Sequence, residues 1–410
     1  MKRRVAVTGM GIVCPIGNDL ADVWESVKEG RCGIDKITKY DITGRKVTLA
    51  GEVKNLDIEK YIDPRELRKL DDFSAFAMVA STQAYEDAGL EALDESHDRW
   101  GVILSSGIGG IHTIEQEHSR GQKMGFDKVS PFFIPKTISN IAAGNIAIKY
   151  GLHGMTGCCV TACASAANGI GDAFRHIRDG YGDVMLAGGA EAAITELSMG
   201  GFTSMKALTK AADKDRASIP FDKDRSGFVM GEGSGVLVLE EYEHARARGA
   251  HIYTEIVGYG ANCDAHHITA PDPEGTYAAK CMAMAIEDAG ISPDQVDYIN
   301  AHGTSTKMND VGETKAIHAC FGPHASELAV SSTKSMTGHL LGASAAVEAV
   351  ITIKAIEEGF LPPTIGLKEP GEGCDLDYVM GQGRSTHIQY ALSNSFGFGG
   401  HNGSLVFKHA

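Results

Sequence analysis

The chain has 410 residues, 43% hydrophobic and 22% charged, a balance that supports a large buried core and excludes intrinsic disorder. A formal net charge of −15 argues against a general nucleic-acid or anionic-membrane binder, which needs a basic surface. Glycine stands at 50 positions and proline at 12, without a collagen-like period, so tight turns and close backbone approaches are expected.

The first element is a strand from Val5, preceded by the basic run Met1-Lys2-Arg3-Arg4 and too short and Gly-interrupted for a signal peptide. Its Gly9-Met10-Gly11 resembles the start of a dinucleotide fingerprint, but Cys14 occupies the third glycine's place and no early helix is expected, so the glycines read as a turn. A helix with apolar Phe76, Val79, Ala80 and Ala84 closes at Ala84-Tyr85-Glu86-Asp87-Ala88-Gly89. A strand at 100–104 follows and runs into a Gly/Ser turn at 105–110. Residues 160–163 read as a strand end turning into a helix over 164–177, and strands are expected at 184–187 and 235–240.

The same series recurs in the second half. A helix closes at Ala285-Ile286-Glu287-Asp288-Ala289-Gly290, a strand at 296–299 enters a turn at 302–306, and a second strand at 329–332 links into a helix over 340–356. Strands at 390–393 and 404–407 finish it. This repeat predicts an α/β fold of two similar halves, 1–252 and 253–410, with helices layered around mixed sheets.

Nine cysteines without CxxC pairs or ligand-spaced histidines give no zinc site and no disulfide framework. With no apolar run of about 18 residues to span a membrane, the expected setting is cytoplasmic. Cys163 differs from the others because small neighbours, Ala162, Ala164 and Ser165, leave it open at a helix N-terminus. There partial positive charge and free amides favour thiolate and lower the thiol pKa. From the turn alone, nucleophile and inert buried cysteine fit equally; Cys158 and Cys159 read as bystanders within the strand.

His302 and His339 sit in glycine-flanked turns at strand ends, where ligands collect in open α/β folds. Each alone is more often structural; jointly with Cys163 they favour chemistry. Phe396-Gly397-Phe398-Gly399-Gly400 offers backbone amides for an oxyanion. Ser331-Ser332-Thr333-Lys334 matches an SxxK pattern, but no Lys-Thr-Gly accompanies it.

At these residues the chain resembles the β-ketoacyl-acyl-carrier-protein synthases of the thiolase superfamily, most closely the elongating synthase II type. The motifs are Val160-Thr161-Ala162-Cys163-Ala164-Ser165, Asn300 to Thr306, Ser331 to Gly342 and Asn394 to Asn402, within a resemblance running from Arg4 to Lys408. It implies a thiolase-like fold of duplicated βαβαβα halves in five layers, α-β-α-β-α, and a homodimer. It implies that Cys163 accepts an acyl chain, that His302 and His339 promote decarboxylation of malonyl-carrier, and that Lys334 and Glu313 form a charge pair supporting the histidines.

By the same resemblance the amides of Cys163 and Phe398 form the oxyanion hole, Phe398 gates the acyl and malonyl compartments, and Thr304 and Thr306 bind the pantetheine arm. Ile108 lies in the acyl pocket, and Phe133 near the pocket of the second subunit. Arg65, Arg68, Lys69 and Lys206 dock an acidic acyl carrier protein. The phosphopantetheine belongs to that partner, so the enzyme itself needs no cofactor and no metal. Lys307, where a proline is frequent, and Lys136 depart from the pattern. A ketosynthase subunit of a type II polyketide system is the alternative; a degradative thiolase would carry a second cysteine where His339 stands.

Overall fold

A computed structural model describes residues 2–410. Its main strands are β1 (Val5–Val13), β2 (Trp100–Ser105), β3 (Thr156–Gly157), β4 (Val184–Glu191), β5 (Gly233–Glu241), β6 (Thr254–Cys263), β7 (Tyr298–Asn300), β8 (Ala329–Ser331), β9 (Tyr390–Gly397) and β10 (His401–His409). They form one ten-stranded sheet in the order β3-β2-β4-β5-β1-β6-β10-β9-β7-β8. Within each set of five the order is the same: third, second, fourth, fifth, first. The pairing repeats too, with β3, β2 and β4 mutually parallel and β5 and β1 antiparallel, matched by β8, β7 and β9 and then β10 and β6. The sets meet along a short antiparallel seam in which Val5, Ala6 and Val7 face Ile256, Glu255 and Thr254.

The layers around these strands are built mainly from α1 (Asp72–Asp87), α2 (Ser165–Arg178), α3 (Thr276–Ala289), α4 (Lys307–Phe321) and α5 (Ser344–Glu358). α1 packs on the outer face of the first set, and α3 lies on that of the second, with α4 packed against it. α2 and α5 fill the space between the sets. The α/β body is therefore five layers deep. Both faces of the strands are covered, which explains their near-continuous apolar runs. Phe73, Phe76, Ala80 and Ala84 of α1 pack on Val102, Leu104 and Val236; Met282, Ala285 and Ile286 of α3 pack on Ile299, Leu392 and Val406. Between them, Ile170 and Phe174 of α2 meet Val350 and Ile353 of α5.

The opening glycines differ from expectation. They lie inside β1 rather than in a turn, and a helix, Leu20–Glu29, does follow the strand. Their purpose is close packing: a Cβ on Gly11 would stand 1.9 Å from the Ala80 carbonyl oxygen, and one on Gly9 2.4 Å from that of Ala84. In the second half Gly260 and Gly258 hold the same relation to Cys281 and Ala285, each at 2.1 Å. Residues 158–161 also differ, because the strand ends at Gly157. The helix expected over 340–356 begins at Ser344, after a short helix Lys334–Thr337 and a 3₁₀ turn Leu341–Ala343.

Candidate active site

Cys163 sits in a single 3₁₀ turn, Ala162–Ala164, that runs straight into α2. Ala162 adopts a left-handed φ of 51°, a conformation that a residue with a Cβ takes only where its surroundings hold it. Ser165 supplies the hold: its Oγ accepts the Thr161 N–H at 2.9 Å and donates to the Ala162 carbonyl at 2.6 Å. The second half repeats the device before α5. Leu341 has φ 48°, and Ser344 Oγ accepts the Leu340 N–H at 2.8 Å. Ala162-Cys163-Ala164-Ser165 thus corresponds to Leu341-Gly342-Ala343-Ser344.

His302 follows β7, and Glu313 of α4 pins its backbone. One carboxylate oxygen accepts the His302 N–H at 2.8 Å, the other the Gly303 N–H at 2.7 Å. His339 is held by its amide on the Val229 carbonyl at 2.7 Å and by Nδ1 against Ser344 Oγ at 2.8 Å. The two imidazole rings stand 5.3 Å apart, nearly perpendicular. Both open onto one cavity of about 540 Å³ that also reaches Cys163, Ile108 and Phe398. The Phe396–Phe398 segment lies against the Cys163 turn so tightly that a Cβ on Gly397 would sit 3.0 Å from the Cys163 nitrogen. As a result the amides of Phe398 and of Cys163 itself face the thiol.

Burial sets the protonation states. It holds both histidines well below the usual imidazole range, helped by the charge of Lys334 and, for His302, by His339, so both rings are neutral near pH 7. Burial also pushes the Cys163 thiol up to about 12, although Lys334 and the two amides pull the other way. The lowering expected from the helix N-terminus is therefore overcome by desolvation. A neutral thiol beside two neutral imidazoles and a pair of convergent amides is suited to acyl transfer in which charge appears only during reaction.

Two family models match the chain: the β-ketoacyl synthase N-terminal domain over residues 2–245 and the corresponding C-terminal domain over residues 253–368. The chain belongs to the β-ketoacyl synthase family. A 3-oxoacyl-(acyl-carrier-protein) synthase 2 of Synechocystis sp. is 52% identical over 408 residues, covering 99% of this chain and 98% of the relative. One of the same name from Staphylococcus aureus is 49% identical over 406 residues, covering 99% and 98%. Among solved structures, a ketosynthase bound to a hexaketide, in complex with its type II polyketide acyl-carrier protein, superposes with a TM-score of 0.93 at 36% identity, covering 100% of both chains. A β-ketoacyl synthase from Burkholderia phymatum gives 0.91 at 35% identity, again over 100% of both chains. As a β-ketoacyl synthase, the chain is a condensing acyltransferase with the thiolase-like fold.

The cavity of this β-ketoacyl synthase gathers most of the residues singled out by sequence. Thr304, Thr306 and Lys206 are on its wall with the groups above, the two threonine hydroxyls 2.9 Å apart. Lys334 is 1% exposed and directly behind the histidines, but its ion-pair partner is Glu348 of α5 rather than Glu313. Phe133 is half-buried on a short helix, Phe133–Thr137, and does not line the cavity. Arg65, Arg68 and Lys69 are exposed at the one-turn helix Pro64–Leu67 and do not line it either; Lys69 pairs with Glu66 at 2.7 Å. Sequence reasoning missed Ser344 and Glu348. Ser344 carries a signal, the Ala-Ser shared by the two turns; Glu348 is hidden in the apolar first half of its helix.

Proposed function

We propose that this β-ketoacyl synthase elongates fatty acids by condensing an acyl chain on Cys163 with malonyl-carrier, using His302 and His339 and no metal or cofactor of its own. The observation that carries the roles is the meeting of one thiol, two neutral imidazoles and two thiol-facing amides in a single cavity. In the first step Cys163 sulfur attacks the thioester carbonyl of an acyl-carrier. The amides of Cys163 and Phe398 hold the oxyanion, and the thiol proton leaves with the carrier's thiol.

In the second step malonyl-carrier loses carbon dioxide, and the electron pair forms an enolate that attacks the Cys163 thioester. His302 and His339 donate N–H bonds to the enolate oxygen. Ser344 suits this role: its oxygen accepts from Leu340 and its own proton is free for His339 Nδ1, leaving Nε2 as the donor. The products are 3-oxoacyl-carrier, carbon dioxide and, after uptake of one proton, the free thiol. Burial, helped by Lys334, keeps the imidazoles neutral, and Glu313 fixes the His302 backbone.

The carrier brings phosphopantetheine, whose arm runs past Thr304 and Thr306. Phe398 closes the acyl compartment, and Ile108 bounds it. Lys206 at the cavity wall, with Arg65, Arg68 and Lys69, meets the acidic carrier. The functional protein is a homodimer in which the 131–134 segment, Phe133 included, approaches the second copy's pocket. This is supported by β3 forming an open sheet edge and by the exposure of Phe132 and Ile134. The chain divides into units 1–252 and 253–410. It works in the cytoplasm, a setting supported by nine free thiols; no helix among the described residues is long and apolar enough to cross a membrane.

Mass spectrometry after incubation with an acyl-carrier thioester tests the reading: an acyl adduct on the Cys163 peptide is expected, and its absence would sink it. Cys163→Ala is expected to abolish condensation while malonyl decarboxylation persists. His302→Ala and His339→Ala suppress decarboxylation; intact decarboxylation in both refutes their roles. A type II polyketide ketosynthase subunit is the second reading, drawn from the hexaketide-bound neighbour. Product analysis separates the two, with one condensation per cycle in fatty-acid elongation and repeated condensation without reduction in polyketide assembly.

A further inference from the structure

Glu191, the last residue of β4, is fully buried, and no step above uses it. Among the described residues no basic side chain pairs with it. Its carboxylate is taken up instead by four donors from two loops, one in each half of the chain. Oε1 accepts from Ser106 Oγ at 3.0 Å and the Ile108 N–H at 3.2 Å; Oε2 accepts from the Gly107 N–H at 2.8 Å and the Gly342 N–H at 3.0 Å. The loops press together around it. A Cβ on Gly342 would lie 2.1 Å from the Gly107 nitrogen, and one on Gly107 would lie 2.8 Å from Glu191 Oε2.

What these loops carry gives the carboxylate its meaning. Gly107 and Ile108 line the catalytic cavity, and so does Leu341, beside Gly342. Ile108, Leu341 and Cys163 belong to one apolar cluster with Ala193 and Ile194, which follow Glu191 in sequence. Only a group that accepts at both ends can face four donors at once. A glutamine in its place keeps one acceptor oxygen; if that oxygen stays on the two glycine amides, its NH₂ confronts the Ile108 N–H, while Ser106 can turn its hydroxyl to accept. The Ile108 amide is then left without a partner, and that wall is released.

We propose that Glu191 is a positioning residue that fixes the separation of the Ile108 and Leu341 walls and thereby sets which acyl chains Cys163 accepts. The proposal rests on the reading of Cys163 as acyl acceptor.

Acylation of Cys163 is followed by intact-protein mass with acyl-carrier thioesters of increasing chain length, for the wild type, Glu191→Gln and Ser106→Ala. The quantity read is the ratio of kcat/KM for the preferred primer to that for the next longer one. Glu191→Gln is expected to reduce this ratio roughly tenfold, the lower end of the effect that pocket fit exerts on similar apolar substrates. Ser106→Ala, which removes one donor, moves it less and in the same direction. Should Glu191→Gln fail to fold, the Ser106→Ala ratio decides. A uniform slowing that leaves the ratio unchanged in every folded variant marks a merely structural residue and overturns the proposal. A wild type that is not acylated overturns the reading of Cys163, and this proposal with it.

Discussion

Replacing Glu313 by glutamine separates two things that this carboxylate does. In the wild type both oxygens accept backbone amides, from His302 and Gly303, and Asn394 Nδ2 lies 3.3 Å away. Burial raises the carboxyl to about 7, even though the amides of Gly303 and His302 pull it down. A carboxyl raised from 4.5 in the unfolded chain to about 7 in the folded one binds more protons when folded. Its contribution to stability is therefore fullest below about 4.5 and is lost as pH rises through 7, by an amount on the order of 3 kcal/mol.

Glutamine has no such titration. The stability difference between wild type and Glu313→Gln is thus expected to shift in the variant's favour, on the order of 3 kcal/mol, between pH 4.5 and 8. His302 and His339, with lowered values, act with the opposite sign, since the unfolded chain alone takes their protons below about 6.5; Glu348, also raised to about 7, acts with the same sign as Glu313. Only the difference between the two proteins isolates Glu313. Denaturant titrations at a series of pH values measure it, and a difference that stays flat across the range refutes the raised carboxyl. Catalysis follows a different course: one backbone amide is left facing an NH₂ group, an orphaned donor costing about 1–3 kcal/mol. Because that amide belongs to His302 or its neighbour Gly303, malonyl decarboxylation is expected to fall roughly tenfold or more at every pH, through kcat.

Ser344→Ala removes the partner of His339 Nδ1 and is expected to lower decarboxylation about tenfold with little change in KM; an unchanged kcat refutes the donor assignment. Gly11→Ala drives a methyl into the Ala80 carbonyl of α1 and destabilises the fold by about 1–3 kcal/mol or more, read by thermal or denaturant midpoints, with Gly260→Ala doing the same against α3. His244, raised to about 9 by its bonds to Glu240 and Glu95, contributes stability that is present below about 6.5 and lost as pH rises through 9; His244→Gln should therefore cost less at high pH, and a pH-independent cost would count against the pairing.

The legible part of this molecule is what repetition and helix periodicity expose. The two closing runs around Ala84 and Ala285 mark α1 and α3, and both helices end where a glycine, Gly89 or Gly290, takes a left-handed conformation. Cys163, His302 and His339 were visible as glycine- or alanine-flanked turns at strand-to-helix junctions. The thiol's protonation was not, because it is decided by burial among residues from both halves. The partner of Lys334 was hidden for a similar reason: Glu348 lies one turn inside α5, where the apolar pattern gives no sign that a charge points inward. The β1 glycines misled because a Gly-x-Gly run has the same letters whether it opens a turn or lets a helix backbone approach a strand.

The two equivalent turns show how one duplicated body yields an asymmetric site. Each has a left-handed residue, a 3₁₀ turn and a serine that caps the residue four places before it. In the first copy the residue at the bend is Cys163, whose sulfur faces convergent amides. In the second it is Gly342, and a side chain is excluded there because the Gly107 nitrogen would lie 2.1 Å from its Cβ. That close approach brings the second half's loop against the first half's pocket wall with Glu191 between them, and it places His339 three residues before the bend. A second thiol at Gly342 would have to push Gly107 away and open the cavity. The glycine is therefore the condition under which one half contributes a thiol and the other contributes two neutral imidazoles to the same cavity.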